Sequence, residues 1–455
     1  MEPLHLSEIT TSLKYISRKN FRDVVVKGVS VDSRTLKKDF LFIAVKGEHI
    51  DGHRFVLDAV ERGASAIVVS NQSYIKNITI PILVVKDTIE ALGDIAQSYR
   101  AMFSLETVAV TGSNGKTTTK ELISHILSFK FNTVKSIKSY NNFIGVPLSI
   151  FEINKKTQKL ILEMETNIFG GIRRLCEISN PSIGVITNIG STHLETLRTR
   201  YGVFKEKKEL IDSVPQDGFV VLNADDDYTG RIRKTQRNII TFGIENKADF
   251  FAEKIKIKKK HIEFSIKGFP VKLETVFFYN IYNVLAAFVV GYFYRFGLEE
   301  MSEMLNSFSF PPMRMELTYI NGINIINDVY NANPDSVKCA LNSLNRFNSS
   351  GKKIAVLGDM LELGDKEELL HYDIGKFCYQ NKIDYLFTFG KLSKFIAEGA
   401  RKAGMNKQNI FEFIDKEELV ASLYNILSPQ DTILVKGSRK MKMEEIIGLL
   451  KKRLK

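Results

Sequence analysis

Cysteine is scarce in this chain of 455 residues: its three cysteines, Cys176, Cys339 and Cys378, lie far apart and form no CxxC pair. An odd number with such spacing argues against a disulfide framework and against a zinc site. No apolar run approaches the ~18 residues of a membrane-spanning helix, and the richest, residues 284–293, is too short. The first residues lack the basic-then-apolar pattern of a signal peptide. These absences predict a cytoplasmic protein without a membrane span.

The length and the charge limit what remains. Single hydrophobic cores stop growing near ~250–300 residues, so two or three domains are expected. The net charge is +12, from 64 Lys and Arg against 52 Asp and Glu, which suits phosphorylated small molecules, nucleic acid or a membrane surface. The densest basic run, residues 254–260, first alternates lysine with isoleucine and predicts a half-buried strand with a solvated face. No zinc-finger spacing or aromatic RNA-binding motif favours nucleic acid.

Strand-like and helix-like segments alternate along the chain, which predicts an α/β protein with doubly wound, parallel sheets. A β-rich insertion at residues 249–278 interrupts this order, and Pro311-Pro312 is the best linker signal. The predicted strands are residues 40–45, 65–69, 82–85, 159–165, 183–189, 219–223, 239–242, 323–329, 353–357, 385–389 and 432–435. The predicted helices include residues 88–102, 280–296 and 299–308.

The strongest local motif is a glycine-rich turn, residues 111–119, which follows an apolar strand and opens a helical run at 121–129. Its glycines let several backbone N–H groups point at one oxyanion, and the lysine and hydroxyl that follow can reach phosphate and Mg²⁺. Strict Walker A loops have glycine five positions before Gly115, where this chain has Val110, so the motif is a shorter TGxNGKT form. It predicts nucleotide binding, with a plain strand-to-helix turn as the alternative. The candidate ATP-binding residues are Thr111, Gly112, Ser113, Asn114, Gly115, Lys116, Thr117 and Thr118.

The TGxNGKT loop resembles that of the Mur ligases and their folylpolyglutamate synthase relatives, rather than that of kinases or GTPases. Further blocks follow in the family's order over nearly the whole chain. Residues 139–147 resemble its NNxxGxP block, residues 187–195 its TNIGxxHLE block, and Glu163 its magnesium-binding glutamate. The blocks at 328–334, 358–364 and 437–444 resemble those of the family member that adds D-alanyl-D-alanine.

The resemblance implies three domains. Residues 1–103 would bind the UDP of a precursor, residues 104–311 would bind ATP on a P-loop sheet, and residues 312–455 would form a Rossmann-like domain for the incoming dipeptide. The implied reaction is ATP-dependent ligation of D-alanyl-D-alanine to UDP-N-acetylmuramoyl-tripeptide through an acyl phosphate, which gives the pentapeptide precursor of peptidoglycan. A monomer is expected. The alternatives are another Mur-type or folylpolyglutamate-type amino-acid ligase, a plain P-loop kinase or NTPase, and a basic nucleic-acid-binding protein.

The resemblance also implies roles for the catalytic residues. Lys116 would neutralise the γ-phosphate as it transfers. Thr117 and Glu163 would hold one Mg²⁺, because hard cations prefer oxygen ligands. His193, together with Glu163, would serve a second metal beside the acceptor carboxylate.

Lys207 aligns with the family lysine that reacts with CO₂ to form a carbamate. Lys205 or Lys208 could be the equivalent residue instead, and a run of four charges is usually only a solvated helix face. Two departures from the family pattern stand nearby: Glu165 replaces a usual glycine, and Gly171 replaces a usual glutamate. The extra carboxylate could add a metal ligand or line the pocket.

The remaining candidates are assigned by the resemblance to nucleotide, dipeptide or precursor. Asn280 and Asn283 would lie beside adenine, with Tyr279 in place of a usual histidine, while Arg314 and Asp328 would reach ATP from the domain junction. Local alternatives are a helix cap at 331–334, a turn at 436–439, and an Asp-Ser turn with a glycine loop near the N-terminus. The substrate-binding candidates are Ser30, Asp32, Ser33, Arg34, Gly47, Asn141, Asn142, Thr187, Asn188, Tyr330, Asn331, Asn333, Lys436, Ser438 and Arg439.

Overall fold

The structure, a computed structural model, describes residues 1–11, 13–47, 50–137, 140–232, 238–258, 260–347 and 350–454. Glu48 and His49 of the glycine loop, Ser139 of the asparagine block and Lys259 of the basic run lie outside the described residues. Within the described ranges, no helix combines the length and the apolar character needed to cross a membrane.

The N-terminal domain is built on a five-stranded sheet. Its elements are β1 (Leu4–His5), α1 (Leu6–Ile9), β2 (Tyr15–Lys19), β3 (Val25–Val26), β4 (Gly28–Ser30), β5 (Phe40–Ile43), α2 (Val56–Glu61), β6 (Ala66–Val69), β7 (Ile82–Val85) and α3 (Thr88–Ala101). The strand order is β2-β7-β6-β5-β4, in which β2 is antiparallel to β7 and the other pairs are parallel. β6 and β7 are fully buried apolar runs, as parallel strands covered on both faces require.

The central domain contains a nine-stranded sheet. Its elements are β8 (Glu106–Thr111), α4 (Lys116–Ser128), β9 (Thr133–Lys135), α5 (Gly145–Ile150), β10 (Lys159–Glu163), α6 (Gly171–Ser179), β11 (Ile183–Ile186), α7 (Leu194–Leu197), α8 (Arg200–Ser213), β12 (Phe219–Asn223), β13 (Asn238–Gly243), β14 (Phe250–Ile257), β15 (Ile262–Ile266), β16 (Phe269–Leu273), α9 (Asn280–Phe293) and α10 (Leu298–Met304). The order is β16-β15-β14-β13-β12-β11-β8-β10-β9. Pairs from β9 to β14 are parallel, whereas β14, β15 and β16 are antiparallel.

The C-terminal domain contains a six-stranded sheet. Its elements are β17 (Glu316–Ile320), β18 (Ile323–Asp328), α11 (Pro334–Arg346), β19 (Lys353–Gly358), α12 (Glu367–Gln380), β20 (Tyr385–Phe389), α13 (Lys394–Ala403), β21 (Ile410–Phe413), α14 (Lys416–Ile426), β22 (Thr432–Lys436) and α15 (Glu444–Leu454). The order is β17-β18-β22-β19-β20-β21, with β17 antiparallel to β18 and the rest parallel.

The predicted three-domain α/β fold is confirmed, with differences at particular elements. The sheets are not wholly parallel, because the β-rich insertion continues the central sheet as the antiparallel strands β14 to β16. The predicted helix at 121–129 begins earlier, at Lys116, directly after the glycine turn. The basic run does start on a half-buried strand, β14, but its pairing shifts between Glu253 and Lys256, and Lys254 has φ +53°. Such a shift marks a β-bulge, which breaks the simple alternation of faces.

The N-terminal and central domains share one hydrophobic core. α3 packs against α5 and α6 of the central domain. Leu92 and Ile95 of α3 belong to the same buried cluster as Ile150 and Leu175. The hydroxyl of Tyr99 on α3 also donates a hydrogen bond to the carbonyl of residue 153 (2.6 Å). The C-terminal domain has two further clusters on the two faces of its sheet, one of which also includes Phe277 of the central domain.

Candidate active site

The glycine turn joins β8 to α4 at the carboxyl edge of the central sheet. β8 lies between β10 and β11, so Glu163 at the end of β10 and Thr187 after β11 flank the turn. In open α/β sheets, ligands bind at this edge, where the strand order reverses. Gly112 (φ +143°) and Gly115 (φ +82°) have left-handed backbones, and a Cβ there would meet Thr187 Oγ1 at 2.0 Å and Asn283 Oδ1 at 2.4 Å. Both positions therefore require glycine.

Thr187 and Asn188 hold the turn in place. Thr187 Oγ1 and Asn188 Nδ2 both donate to the carbonyl of Asn114, at 2.5 and 3.0 Å. In return, the N–H of Asn114 donates to Asn188 Oδ1 (3.0 Å) and that of Ser113 donates to the Asn188 carbonyl (3.0 Å). The turn is thus preorganised by the neighbouring strand end.

Lys116 is buried at the start of α4, with its side chain 8% exposed. Its ammonium donates to the carbonyls of Gly112 (2.8 Å) and Ser113 (3.2 Å) and pairs with Glu165 Oε1 (2.8 Å). The positive charge lies within the turn, where a lysine meets nucleotide phosphates in loops of this type.

Thr117, Glu163, Asn141 and Arg314 form a continuous polar cluster beside the lysine. Thr117 Oγ1 donates to Glu163 Oε2 (2.7 Å) and accepts from Arg314 Nη2 (2.7 Å). Asn141 Nδ2 donates to Glu163 Oε1 (2.9 Å). Arg314 comes from the C-terminal domain, and its guanidinium lies 3.8 Å from the ring centre of Tyr330. A hydroxyl and a carboxylate therefore meet next to the glycine turn, with a cation supplied across the domain junction.

His193 lies between two carboxylates. Its Nδ1 is 2.7 Å from Glu362 Oε2, and its Nε2 is 3.2 Å from Glu165 Oε1. Burial alone would lower the pKa of His193, but the two carboxylates outweigh it and raise that pKa above its ordinary value. Burial also opposes ionisation of Glu165, yet Lys116 and His193 hold the pKa of this carboxyl well below its usual range. A chain of ionisable groups thus links the glycine turn to the C-terminal domain.

Lys207 differs from its neighbours on α8. It is 1% exposed, whereas Lys205 is exposed and Lys208 pairs with an aspartate one turn along the helix. No hydrogen bond from the Lys207 ammonium to another described residue is present, although Lys116 and Glu163 act on it electrostatically. Burial, reinforced by Lys116, lowers the pKa of Lys207 to about 8. Of the three lysines that the sequence leaves open, Lys207 is the buried amine beside the carboxylates.

The opposite end of the site is aromatic and amide-rich. Asn283 Nδ2 donates to Asn280 Oδ1 (3.0 Å) at the start of α9. The rings of Tyr279 and Tyr282 stack with 6.4 Å between centroids, and the Tyr282 hydroxyl donates to Asp225 Oδ2 (2.9 Å). Flat apolar surface with amides beside it suits a nucleobase.

The C-terminal domain forms the facing wall. Asp328 and Lys436 are partners at the carboxyl ends of β18 and β22, and Lys436 Nζ lies 2.6 Å from Asp328 Oδ2. Lys436 Nζ also donates to the carbonyl of Asn331 (2.9 Å). Asn333 Oδ1 caps α11, while its Nδ2 donates to Asn114 Oδ1 across the domain junction (2.9 Å). The predicted helix cap and a contact with the glycine turn are thus made by one side chain.

These walls enclose a cleft of about 670 Å³ between the central and C-terminal domains. Its volume lies within the range of small-molecule sites. Asn142 lies elsewhere and caps α5, because its Oδ1 accepts from the N–H groups of Ile144 (3.1 Å) and Gly145 (2.9 Å). The predicted residues that line the cleft are Ser113, Asn114, Gly115, Lys116, Thr118, Asn141, Glu163, Thr187, Asn188, His193, Asn280, Asn283, Arg314, Asp328, Tyr330, Asn331, Asn333, Lys436, Ser438 and Arg439.

Known sequences and structures agree with this architecture. Profiles of the Mur ligase middle domain, of the glutamate ligase domain of Mur ligases, and of the catalytic domain of the Mur ligase family match residues 110–291, 313–439 and 25–100. The UDP-N-acetylmuramoyl-tripeptide--D-alanyl-D-alanine ligase of Bacillus subtilis (strain 168) is 35% identical over 439 residues, covering 95% of this chain and 94% of the relative. The chain belongs to the Mur ligase family.

Two solved structures match nearly the whole length of this Mur ligase. MurF from Acinetobacter baumannii gives a TM-score of 0.91 at 28% identity and covers 99% of both chains. MurF ligase from Thermotoga maritima, solved in complex with ADP, gives a TM-score of 0.84 at 28% identity over 94% of this chain and 98% of that chain. The three-domain arrangement is therefore that of the family.

The N-terminal candidates of this Mur ligase are not among the residues that line the cleft. Asp32 Oδ1 accepts from the N–H of Arg34 (3.0 Å), and its carboxylate pairs with the Arg34 guanidinium (2.7 Å). Ser30 Oγ donates to the carbonyl of Asp32 (2.9 Å), and Ser33 is buried beside it. Gly47 itself is exposed. These contacts form the Asp-Ser turn, and a role in precursor binding stays a prediction.

Several polar residues of the cleft were not assigned a site role from the sequence. Glu362 contacts His193, and Asp335 Oδ2 accepts from the N–H of Ser191 (2.5 Å), so both join the C-terminal domain to the central one. Asp225 accepts from Tyr282. Glu362 lies within a family-like block and Asp335 directly follows one, and those blocks were the available signal. Their partners are far away in the chain, so spacing alone could not reveal the contacts.

The predicted metal ligands are only partly brought together. Thr117 and Glu163 meet, but the carboxylates that contact His193 are those of Glu165 and Glu362, not that of Glu163. Across the described residues, no group of three or more His, Cys, Asp or Glu side chains could hold a metal by itself. A hydroxyl and a carboxylate beside a phosphate-binding turn nevertheless fit Mg²⁺, which commonly completes its oxygen shell with water and substrate phosphates.

Proposed function

We propose that this Mur ligase joins D-alanyl-D-alanine to UDP-N-acetylmuramoyl-tripeptide, with cleavage of ATP to ADP and phosphate. The observation that carries the proposal is the pairing of two walls across one cleft. The central wall presents Lys116 and Glu163, the latter hydrogen-bonded to Thr117, which suit a nucleotide phosphate. The C-terminal wall presents Lys436 and Arg439, whose positive charges suit the carboxylate of a dipeptide. The name of the Bacillus subtilis relative supports the same substrates.

The reaction proceeds in two transfers. The terminal carboxylate of the tripeptide attacks the γ-phosphorus, the bond to the β-phosphate oxygen breaks, and acyl phosphate and ADP form. The dipeptide amine, after losing a proton, then attacks the acyl carbon, the C–O bond to phosphate breaks, and the amide forms. Negative charge develops in both steps, so positioning and electrostatic stabilisation supply most of the catalysis. Lys116 provides a cation within the glycine turn, and Arg314, which donates to Thr117, provides a second one.

Mg²⁺ belongs to this proposal. Thr117 Oγ1 and Glu163 Oε2, 2.7 Å apart, would hold it, and when bound it would neutralise phosphate charge. His193, which is itself held by Glu362 of the C-terminal domain, would orient the acceptor carboxylate. A second metal served by His193 and Glu163 beside the acceptor carboxylate stays a prediction.

A carbamate on Lys207 is part of the same proposal. The ammonium first loses one proton. The neutral amine then attacks CO₂, a C–N bond forms as one C=O bond opens to a carboxylate, and the nitrogen releases a second proton, so that a cation has become an anion. A pKa lowered to about 8 by burial makes the neutral amine accessible near neutral pH. The anion would relieve the repulsion between Lys207 and Lys116, which contributes to that low pKa.

The binding of the other substrates completes the proposal. Asn280 and Asn283 would hold adenine, and Asn331, Ser438 and Arg439 the dipeptide. In the N-terminal domain the proposed contacts to the UDP are Ser30, Asp32, Ser33, Arg34 and Gly47.

The cysteines are free, which suits the reducing cytoplasm, and we propose a monomer there.

The test is phosphate release from ATP and Mg²⁺ with UDP-N-acetylmuramoyl-tripeptide, in the presence of D-alanyl-D-alanine or of single amino acids. Release that requires both tripeptide and dipeptide, together with an amide product, is expected. Release with a single amino acid would support the same mechanism but would mean that the enzyme adds an amino acid rather than the dipeptide. Release without an acceptor or an amine would refute the ligase function and leave a P-loop NTPase.

A further inference from the structure

The ammonium of Lys116 has no free donor in this structure. An ammonium carries three N–H donors. Two of them point at the carbonyls of Gly112 and Ser113, and the third direction is taken by Glu165 Oε1, 2.8 Å away. A phosphate oxygen can therefore contact Lys116 only if one of these three partners gives way.

The three partners differ in how easily they can move. Gly112 and Ser113 offer backbone carbonyls of a turn that is clamped by Asn188 and requires glycine at position 112. Glu165 offers a side chain on the segment that follows β10. Rotamer changes of a side chain are far less costly than remodelling a clamped turn. Glu165 is thus the partner that yields.

A released Glu165 carboxylate keeps other partners. Its Oε2 accepts from Asn141 Nδ2 (3.3 Å), and its Oε1 lies 3.2 Å from His193 Nε2. The carboxylate therefore does not have to be left buried without a hydrogen bond, a state that is strongly unfavourable. The family resemblance places glycine at position 165, which could make none of these contacts.

We propose that Glu165 is a positioning residue that holds the Lys116 ammonium in the turn and gives it up to the terminal phosphates of ATP. This inference rests on the proposed use of ATP by Lys116. Carboxylate and phosphate compete for one cation, so the affinity for ATP is set partly by an internal contact. If that contact is populated about nine-tenths of the time, it raises the apparent Kd for ATP by about tenfold. AMP, which lacks the β- and γ-phosphates, escapes this competition.

The test is calorimetric titration of wild type and Glu165→Gln with the non-hydrolysable analogue adenylyl imidodiphosphate plus Mg²⁺, and separately with AMP. The variant is expected to bind the triphosphate analogue about tenfold more tightly and AMP with unchanged affinity. The matched control is Glu121→Gln. Glu121 lies on the same helix as Lys116 and pairs with Lys120 (2.9 Å) and Lys135, so its loss changes net charge equally without touching Lys116. That variant is expected to behave as wild type.

Several outcomes would overturn the inference. Weaker or unchanged binding of the analogue by Glu165→Gln would do so, as would equal tightening for AMP or for Glu121→Gln. If Glu165→Gln does not fold, Glu165→Gly repeats the titration with the residue that the family pattern has there. Failure of both variants to fold would show that Glu165 only maintains the fold. No binding of the analogue to wild type would instead refute the proposed ATP site.

Discussion

The cleft and the N-terminal domain hold their predicted residues in opposite ways. In the cleft, contacts join distant parts of the chain, as between Asn114 of the glycine turn and Asn333 of the C-terminal domain. In the N-terminal domain, Asp32 and Arg34 are two residues apart and satisfy each other. The cleft therefore exists only when two domains dock, whereas the Asp-Ser turn forms from its own segment. Motif resemblance located both, but only the cleft is assembled by the tertiary fold.

The two regions also differ in how they treat charge. The side chain of Lys116 is 8% exposed and Lys207 is 1% exposed, while the Arg34 side chain is 83% exposed. Buried charges interact strongly with their neighbours, and exposed ones are screened by water and salt. Substitutions in the cleft are therefore expected to change chemistry by orders of magnitude, and those in the N-terminal turn to change binding modestly.

The largest effect is expected from Lys116→Ala. Loss of the cation at the phosphate should lower the rate of phosphate release by about a hundredfold to a thousandfold, which is the typical contribution of one electrostatic stabiliser. Circular dichroism should show an unchanged fold. Lys135→Ala, which removes a half-exposed lysine paired with Glu121, serves as the control and should retain the wild-type rate. A wild-type rate of phosphate release in the Lys116 variant would show that Lys116 has no part in the mechanism.

Lys207→Ala should lower the rate by about a hundredfold, since the carbamate is one of several groups that act together. A short carboxylate at high concentration should restore part of the activity by supplying the missing anion. Lys205→Ala and Lys208→Ala, on the same helix but not buried, should behave as wild type. Full activity of the Lys207 variant without rescue would place the carbamate elsewhere.

Lys207→Met should stabilise the protein in carbonate-free buffer. The folded-state pKa of about 8 lies below the ~10.4 of an exposed lysine. Between these values the unfolded chain binds more protons, so wild-type stability rises with pH across that window. Below pH 8 the buried ammonium costs about 3 kcal/mol, which the methionine removes. Urea unfolding should show that the variant has a much larger free energy of unfolding than wild type at pH 7 and only a slightly larger one near pH 10. An equal difference at both pH values would contradict the burial argument.

Asn333→Ser tests the docking contact itself. Serine keeps the helix cap but loses the amide that donates to Asn114, so kcat/KM should fall by about tenfold with little change in stability. Asn333→Ala loses cap and contact together and should cost roughly 1 kcal/mol of stability in addition. Thermal melts and initial rates measure the two effects. A serine variant with wild-type kcat/KM would mean that this contact does not align the cleft.

The smallest effect is expected from Arg34→Ala. Its exposed guanidinium should contribute less than about 0.5 kcal/mol to stability. If it contacts the precursor, KM for the UDP-linked substrate should rise by roughly fivefold at unchanged kcat, the signature of lost uniform binding. Lys27→Ala, which removes an exposed pair with Asp39 in the same domain, is the control. A lower kcat in the Arg34 variant would contradict the expectation that residues of the N-terminal turn affect binding and not chemistry.

The sequence predicted core strands better than edge strands. Residues 82–85, 219–223 and 385–389 match the observed strands at both ends, because continuous apolar runs between turns mark parallel strands. The strands β2 and β17 were not predicted. Both lie at sheet edges, and neither contains a buried residue, so their hydrophobic pattern is weak.

The candidate site was predicted as a set of residues and not as a set of contacts. The family-like blocks gave Lys116, Glu163 and His193, and strand ends at one sheet edge explain why they meet. The link from His193 to Glu362 depends on how the C-terminal domain docks, and local spacing carries no information on that. The choice of Lys207 over its neighbours depends on which side of α8 is buried, a tertiary property.

The shared core under α3 determines where this chain can be divided. A cut between α3 and β8 would expose Leu92, Ile95 and the apolar faces of α5 and α6 to water, so neither piece would be soluble alone. A cut between α10 and β17 would separate a fragment that keeps its own sheet and nearly all of its two clusters, losing only the contact with Phe277. The first two domains should therefore behave as one rigid unit, and the C-terminal domain is the part that can be separated from it. Split or truncated versions of the enzyme should therefore be divided between α10 and β17.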